Sequence, residues 1–195
     1  MSKTSIVIER LKEINEGTAV AIKIGEINYA DNFLSVMEAI LKNYTVEKNL
    51  KPIYLSITTP ASILIKIFEA FGIDVNNIIF VDVISNMMMS GNKDLLQNVI
   101  YVESPTMLEY IMLKVRYIIR KHPDEKLFVV IDSVNSLAIH NNYNIMIEFI
   151  HMLVNNLKGM GVYTALIAID SGENIEQINN MLNLVCEETI NVREG

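Results

Sequence analysis

Tryptophan is absent from this chain, cysteine occurs once at Cys186, and histidine three times, at His122, His140 and His151. A lone cysteine makes no internal disulfide, and with three scattered histidines it forms no ligand cluster at zinc spacing. The shortage fits a reducing, cytoplasmic setting. Charge is scarce too: 20% of the 195 residues are charged, and 16 Lys plus Arg against 23 Asp plus Glu leave a net charge of −7. No broad positive field exists to draw the chain onto a phosphate backbone, so nucleic acid is not expected as its main partner. Missing as well is any uninterrupted apolar run approaching about 18 residues, and Glu9, Arg10, Lys12 and Glu13 break up the stretch where a signal peptide would need its apolar segment. A protein that neither spans a membrane nor is exported is expected.

Apolar residues, by contrast, make up 51% of the chain, enough for a full core. They fall into short β-branched runs at Ala19 to Ile24, Ile53 to Ile57, Ile78 to Val81, Val99 to Val102, Leu127 to Ile131, Val162 to Ala168 and, more weakly, Thr189 to Val192. Most are apolar throughout rather than alternating, as strands covered on both faces require. Amphipathic segments lie between them. In Thr106 to Lys121, Leu108, Ile111, Val115 and Ile118 share one face, with Glu109, Arg116 and Arg120 on the other. The rhythm predicts an α/β fold, a three-layer sandwich around a mainly parallel sheet, with Ala19 to Ile24 and Leu127 to Ile131 near its middle and the last strand toward an edge. Thr59-Pro60 and Ser104-Pro105 read as helix starts. No linker composition divides residues 1–195, which read as a single domain. The stretch from Ile84 to Gln97 is the expected irregular excursion, and its Met87 to Asn92 portion is a candidate contact surface.

Ligands of parallel sheets bind beyond the carboxyl ends of the strands. After the first run comes Gly25-Glu26-Ile27-Asn28-Tyr29-Ala30-Asp31-Asn32, followed by a helical stripe. Strand, Gly-initiated loop, helix is the layout of a phosphate-binding P-loop, which reads Gly, four residues, Gly, Lys, then Ser or Thr. Gly25 fits that spacing, whereas Ala30 replaces the second Gly, Asp31 the Lys, and Asn32 the magnesium-binding hydroxyl residue. The missing lysine contact is worth about 1.5 to 3 kcal/mol. In its place Asp31 brings an anion to a helix start, where it reads either as an N-cap or as a substitute for phosphate. Further on, Leu127 to Ile131 ends in Asp132-Ser133, the form of a Walker B element whose Asp helps hold magnesium; strand-end capping is the plainer explanation.

Over essentially its whole length the chain resembles the RecA-like ATPases, and within them the KaiC-like branch common in archaea. The resemblance is carried by Gly17 to Glu26, by Pro52 to Pro60, and most specifically by Val129-Val130-Ile131-Asp132-Ser133-Val134-Asn135-Ser136-Leu137. It implies a RecA-like P-loop NTPase fold, assembly with other subunits, and a Glu pair after the second strand to ready the attacking water. This sequence has Thr58-Thr59 there. The degenerate nucleotide loop (Gly25, Asn28, Asp31, Asn32) and the Walker B position Asp132 are therefore the candidate site residues, with no catalytic residue and no metal ligand among them. The expected function is that of a noncatalytic KaiC/RecA-like domain without a cofactor, acting through protein binding in a regulatory or scaffolding role. Its expected partner is a second copy or an active RecA-like paralogue. The alternative is a weak nucleotide-binding ATPase that takes ATP or ADP through the 25–32 loop and Asp132. Elsewhere, Cys186 reads as a small buried hydrophobe rather than a nucleophile, His151 as a core-edge residue, and the basic run at Lys114, Arg116, Arg120, Lys121 and His122 as a solvated helix face.

Overall fold

The computed structural model describes residues 2–87, 97–172 and 174–193. Each of the seven apolar runs forms a strand: β1 (Ala19–Ile24), β2 (Leu50–Ser56), β3 (Ile79–Asp82), β4 (Val99–Tyr101), β5 (Lys126–Asp132), β6 (Tyr163–Ile169) and β7 (Glu188–Val192). Every described pairing is parallel, and the order across the sheet is β4-β3-β2-β5-β6-β1-β7. The helices are α1 (Lys3–Lys12), α2 (Tyr29–Met37), α3 (Thr45–Glu47), α4 (Ala61–Ala70), α5 (Leu108–Lys121), α6 (Val134–His140), α7 (Tyr143–Gly159) and α8 (Ile175–Val185). A wider π-helical stretch, Glu38–Tyr44, joins α2 to α3.

Continuous apolar strands are explained by the two cores they divide. In β5, Leu127, Val129 and Ile131 face one way, toward α5, α6, α7 and α8, while Phe128 and Val130 face α1, α2 and α4. The same alternation splits β1, with Ala19 and Ala21 in the first core and Val20, Ile22 and Ile24 in the second. A side-chain period of two thus buries every residue when both faces are covered. β5 is the middle strand and β7 an edge, as expected. β1 is not near the middle: it is sixth, one strand in from β7. Both helix layers extend that far, so two-faced burial does not distinguish a central strand from a penultimate one.

Helix starts also depart from expectation. Pro60 is the N-cap of α4 rather than its first helical residue, and the amide of Ala61 donates not to Thr59 but to the buried carboxylate of Asp82, at 2.7 Å. Ser104 Oγ accepts from the amide of Thr106 at 3.2 Å in a turn that precedes α5, which begins only at Leu108. Of the Met87 to Asn92 surface, Met87 is exposed in a turn and the rest lies outside the described residues. No helix of the described residues is long and apolar enough to cross a membrane.

Candidate functional site

All strands point the same way, so their carboxyl ends share one edge of the sheet, where the 25–32 loop and Asp132 both lie. β1 ends at Ile24, and the amide of Gly25 donates to Val192 O at 2.9 Å, tying the loop to the end of β7. A Cβ on Gly25 would stand 3.4 Å from Arg193 Cγ and 3.6 Å from Val192 O. The loop then turns at Asn28, whose φ of 53° lies in the left-handed region that Asn tolerates better than most residues. Asn28 is the N-cap of α2, but its side chain makes no capping hydrogen bond. Asp31, for which the sequence leaves an N-cap or a substitute for phosphate open, is not the N-cap: it sits in the first turn of α2, exposed, where the helix dipole favours a carboxylate.

Asn32 occupies the position where a P-loop carries its hydroxyl residue. It is fully buried, its amide donating to Ile27 O at 3.0 Å and its Oδ1 accepting from Lys3 Nζ at 2.6 Å. The loop is thereby closed onto its own backbone and clamped by α1. Lys3 is a participant that sequence reading missed, since only the packing of α1 against α2 brings it there.

Asp132 ends β5 with 2% of its surface exposed. Its Oδ2 accepts from Tyr54 Oη at 2.5 Å, across from the neighbouring strand β2, while Oδ1 is buried without a hydrogen-bond partner. Burial pushes this carboxyl up to about 6, against the opposing pull of the Tyr54 hydrogen bond. The Tyr54 hydroxyl is itself driven well upward by burial, then by the Asp132 charge. Tyr29, from the start of α2, is pushed up by burial and next by the same charge, and its ring stacks on Phe33 with centroids 5.9 Å apart. Two tyrosines thus face Asp132, one from β2 and one from the start of α2.

The Thr58-Thr59 pair follows β2. Thr58 Oγ1 lies 2.8 Å from Ser136 Oγ and 3.3 Å from Ser133 Oγ, and the two serine hydroxyls are 3.1 Å apart. Ser133 caps α6, its side chain accepting from the amide of Ser136. Asn135 pins the end of β6, its amide group exchanging two hydrogen bonds with the backbone of Ile169 at 2.8 and 3.1 Å. Most of the Ile-Asp-Ser-Val-Asn-Ser segment is thus accounted for by bonds to its own surroundings. Among the described residues no cluster of three or more His, Cys, Asp or Glu could hold a metal ion.

The remaining candidates behave as surface or core. His151 is exposed on α7 rather than at the core edge, within 3.3 Å of Asn155. Lys114 and Lys121 lie over the rings of Tyr110 and Tyr117 on a solvated face of α5. Cys186, expected to be buried, is half-buried where it follows α8 against the core, and that burial pushes its thiol up to about 12. Because the thiolate is the reactive form, native protein at pH 8 is expected to react with a thiol reagent at least tenfold more slowly than the urea-unfolded chain. Equal rates would count against this burial.

Comparison with known proteins places the architecture. The family model described as "ATPase: KaiC" matches residues 38–194, a span that begins after the 25–32 loop. Among solved structures, a KaiC-like protein from the hyperthermophilic archaeon Pyrococcus horikoshii OT3 is similar at a TM-score of 0.62 with 17% identity, over 90% of this chain and 71% of that one. An uncharacterized protein from Pyrococcus horikoshii, crystallised with an unknown peptide, is similar at 0.66 with 11% identity, over 98% of this chain and 83% of that one. At such identities the likeness speaks for the fold alone. No curated protein matches significantly. The family match covers β2 to β7 and α3 to α8, well over half of the chain, and on that ground the chain belongs to the KaiC family of ATPases.

Proposed function

We propose that this chain is a noncatalytic member of its family, acting by binding protein in a regulatory or scaffolding role. The observation that carries the reading is the Asp31 carboxylate in the first turn of α2, at the position of the phosphate-binding lysine. The donors on this edge are a poor fit to a magnesium nucleotide. An anion stands where a cation is needed, Asn32 is spent on Lys3 and Ile27, and Asp132 is buried and bonded to Tyr54. Thr58 and Thr59 supply no carboxylate to orient water.

The rival reading, slow hydrolysis through the 25–32 loop and Asp132, draws on one observation, the unpartnered Oδ1 of that acid. Calorimetric titration with ATP and magnesium separates the two. The expected result is no detectable binding and no turnover above a blank. Asp31→Lys with Asn32→Thr should raise nucleotide affinity about 10- to 100-fold, the equivalent of one charge-assisted contact, and leave turnover at the blank. Robust hydrolysis by the unmodified protein, abolished by Asp132→Ala, would establish the rival.

A further inference from the structure

Helices α5 and α7 leave an apolar groove between them. Leu108, Met112 and Phe149 line it, and its rims carry Leu113, Ile145 and Met152, exposed at 58, 57 and 45%. Large exposed apolar side chains gathered in this way mark an interaction surface more often than a solvated one.

The charges on the groove indicate what covers it. Glu109, Arg116 and Glu148 border it, and among the described residues none of the three takes part in an ion pair. Glu109 lies in the first turn of α5 and Arg116 two turns later, about 10 Å along the axis. Along α5, acid at one end and base at the other form a self-complementary pattern, while the second acid, Glu148, stands on α7. A two-fold axis that sets α5 antiparallel to its own copy brings Glu109 of each chain toward Arg116 of the other, twice over. Parallel packing would set like charge on like. Lys114 and Lys121, held over Tyr110 and Tyr117, do not line the groove and stay on the watered flank.

We propose that the α5/α7 groove is a two-fold docking surface for a second copy of this chain, with antiparallel α5 helices at its centre. Leu113 of each copy enters the other's groove, and the Glu109 and Arg116 pairs close its ends. The inference is independent of nucleotide chemistry, because α5 and α7 cover one face of the sheet while α2 and its loop belong to the other.

Sedimentation equilibrium from low to high micromolar concentration tests it, with thermal melts to show that each variant folds. The unmodified chain should dimerise, and Leu113→Asp should leave it monomeric. Glu109→Arg and Arg116→Glu should each weaken self-association at least tenfold. Mixing those two single variants should restore a dimer containing one chain of each, and the double variant should dimerise with itself, because the charges are then exchanged rather than lost. A strict monomer at every concentration overturns the proposal. So does a dimer indifferent to Leu113→Asp, or one that the mixed variants do not restore.

Discussion

Replacing Asp82 by alanine is expected to lower the unfolding free energy by about 4 kcal/mol, a large share of what a domain of this size holds. The side chain is fully buried at the end of β3 and accepts four hydrogen bonds. Oδ2 takes the amide of Ala61 at 2.7 Å and the hydroxyl of Ser85 at 2.6 Å; Oδ1 takes the amides of Ile84 and Ser85 at 3.0 and 2.9 Å. Alanine would strand three backbone donors in the interior, and each unsatisfied buried group costs about 1 to 3 kcal/mol. The start of α4 and the chain leaving β3 would lose their common anchor. Asp82→Asn keeps one acceptor oxygen and should lose about half as much. Urea unfolding monitored by circular dichroism measures both, and a loss under about 1 kcal/mol for alanine would show that the surrounding loop reorganises without the carboxylate.

The second large effect depends on pH. Asp132 has its carboxyl raised from 3.8 to about 6 in the fold, so between those values the folded chain holds a proton that the unfolded chain has released. Stability from this group is present below pH 4 and is lost as pH rises through 6. The rise from 3.8 to about 6 corresponds to about 3 kcal/mol, so Asp132→Asn, which still offers an oxygen to Tyr54, should be more stable than the parent by about that amount at pH 7. At pH 4 the two proteins should nearly coincide. The difference between the two denaturation curves isolates this group from every other acid in the chain. A constant difference from pH 4 to 7 would mean that Asp132 titrates alike in both states.

These two acids also show what was legible in the sequence. The strand positions could be read to within about a residue at most ends, because burial on both faces leaves a continuous apolar run that a half-exposed strand does not; β2 alone begins three residues before its run, at Leu50 rather than Ile53. Asp132 was legible as the acid ending such a run. Asp82 ends the same kind of run, Ile-Ile-Phe-Val, and could have been found by the same sign. Tyr54, Tyr29 and Lys3 could not, since each meets its partner only through strand order or helix packing: Tyr54 reaches Asp132 because β2 and β5 are neighbours. Asp31 was misplaced by three residues because Asn28, in a left-handed conformation, starts the helix earlier than an Asp cap would. The position of β1 was not legible either, for apolar content says that a strand is covered but not which strands flank it.

The place of β1 in the sheet also governs the order in which the chain can fold as it is made. Its neighbours are β6, starting at Tyr163, and β7, starting at Glu188. The centre of the sheet can form earlier, because β2 finds β3 nearby and β5 once residue 132 has emerged. Through most of synthesis β1 therefore waits, an almost wholly apolar segment with both of its hydrogen-bonding edges open. Long-range parallel pairing of this kind is slow to close and leaves sticky intermediates. Ribosome-bound chains halted before residue 163 should engage a chaperone through residues 19–24 and release it once β6 and β7 have left the exit tunnel, so that a strand made early is brought to rest only by two made much later.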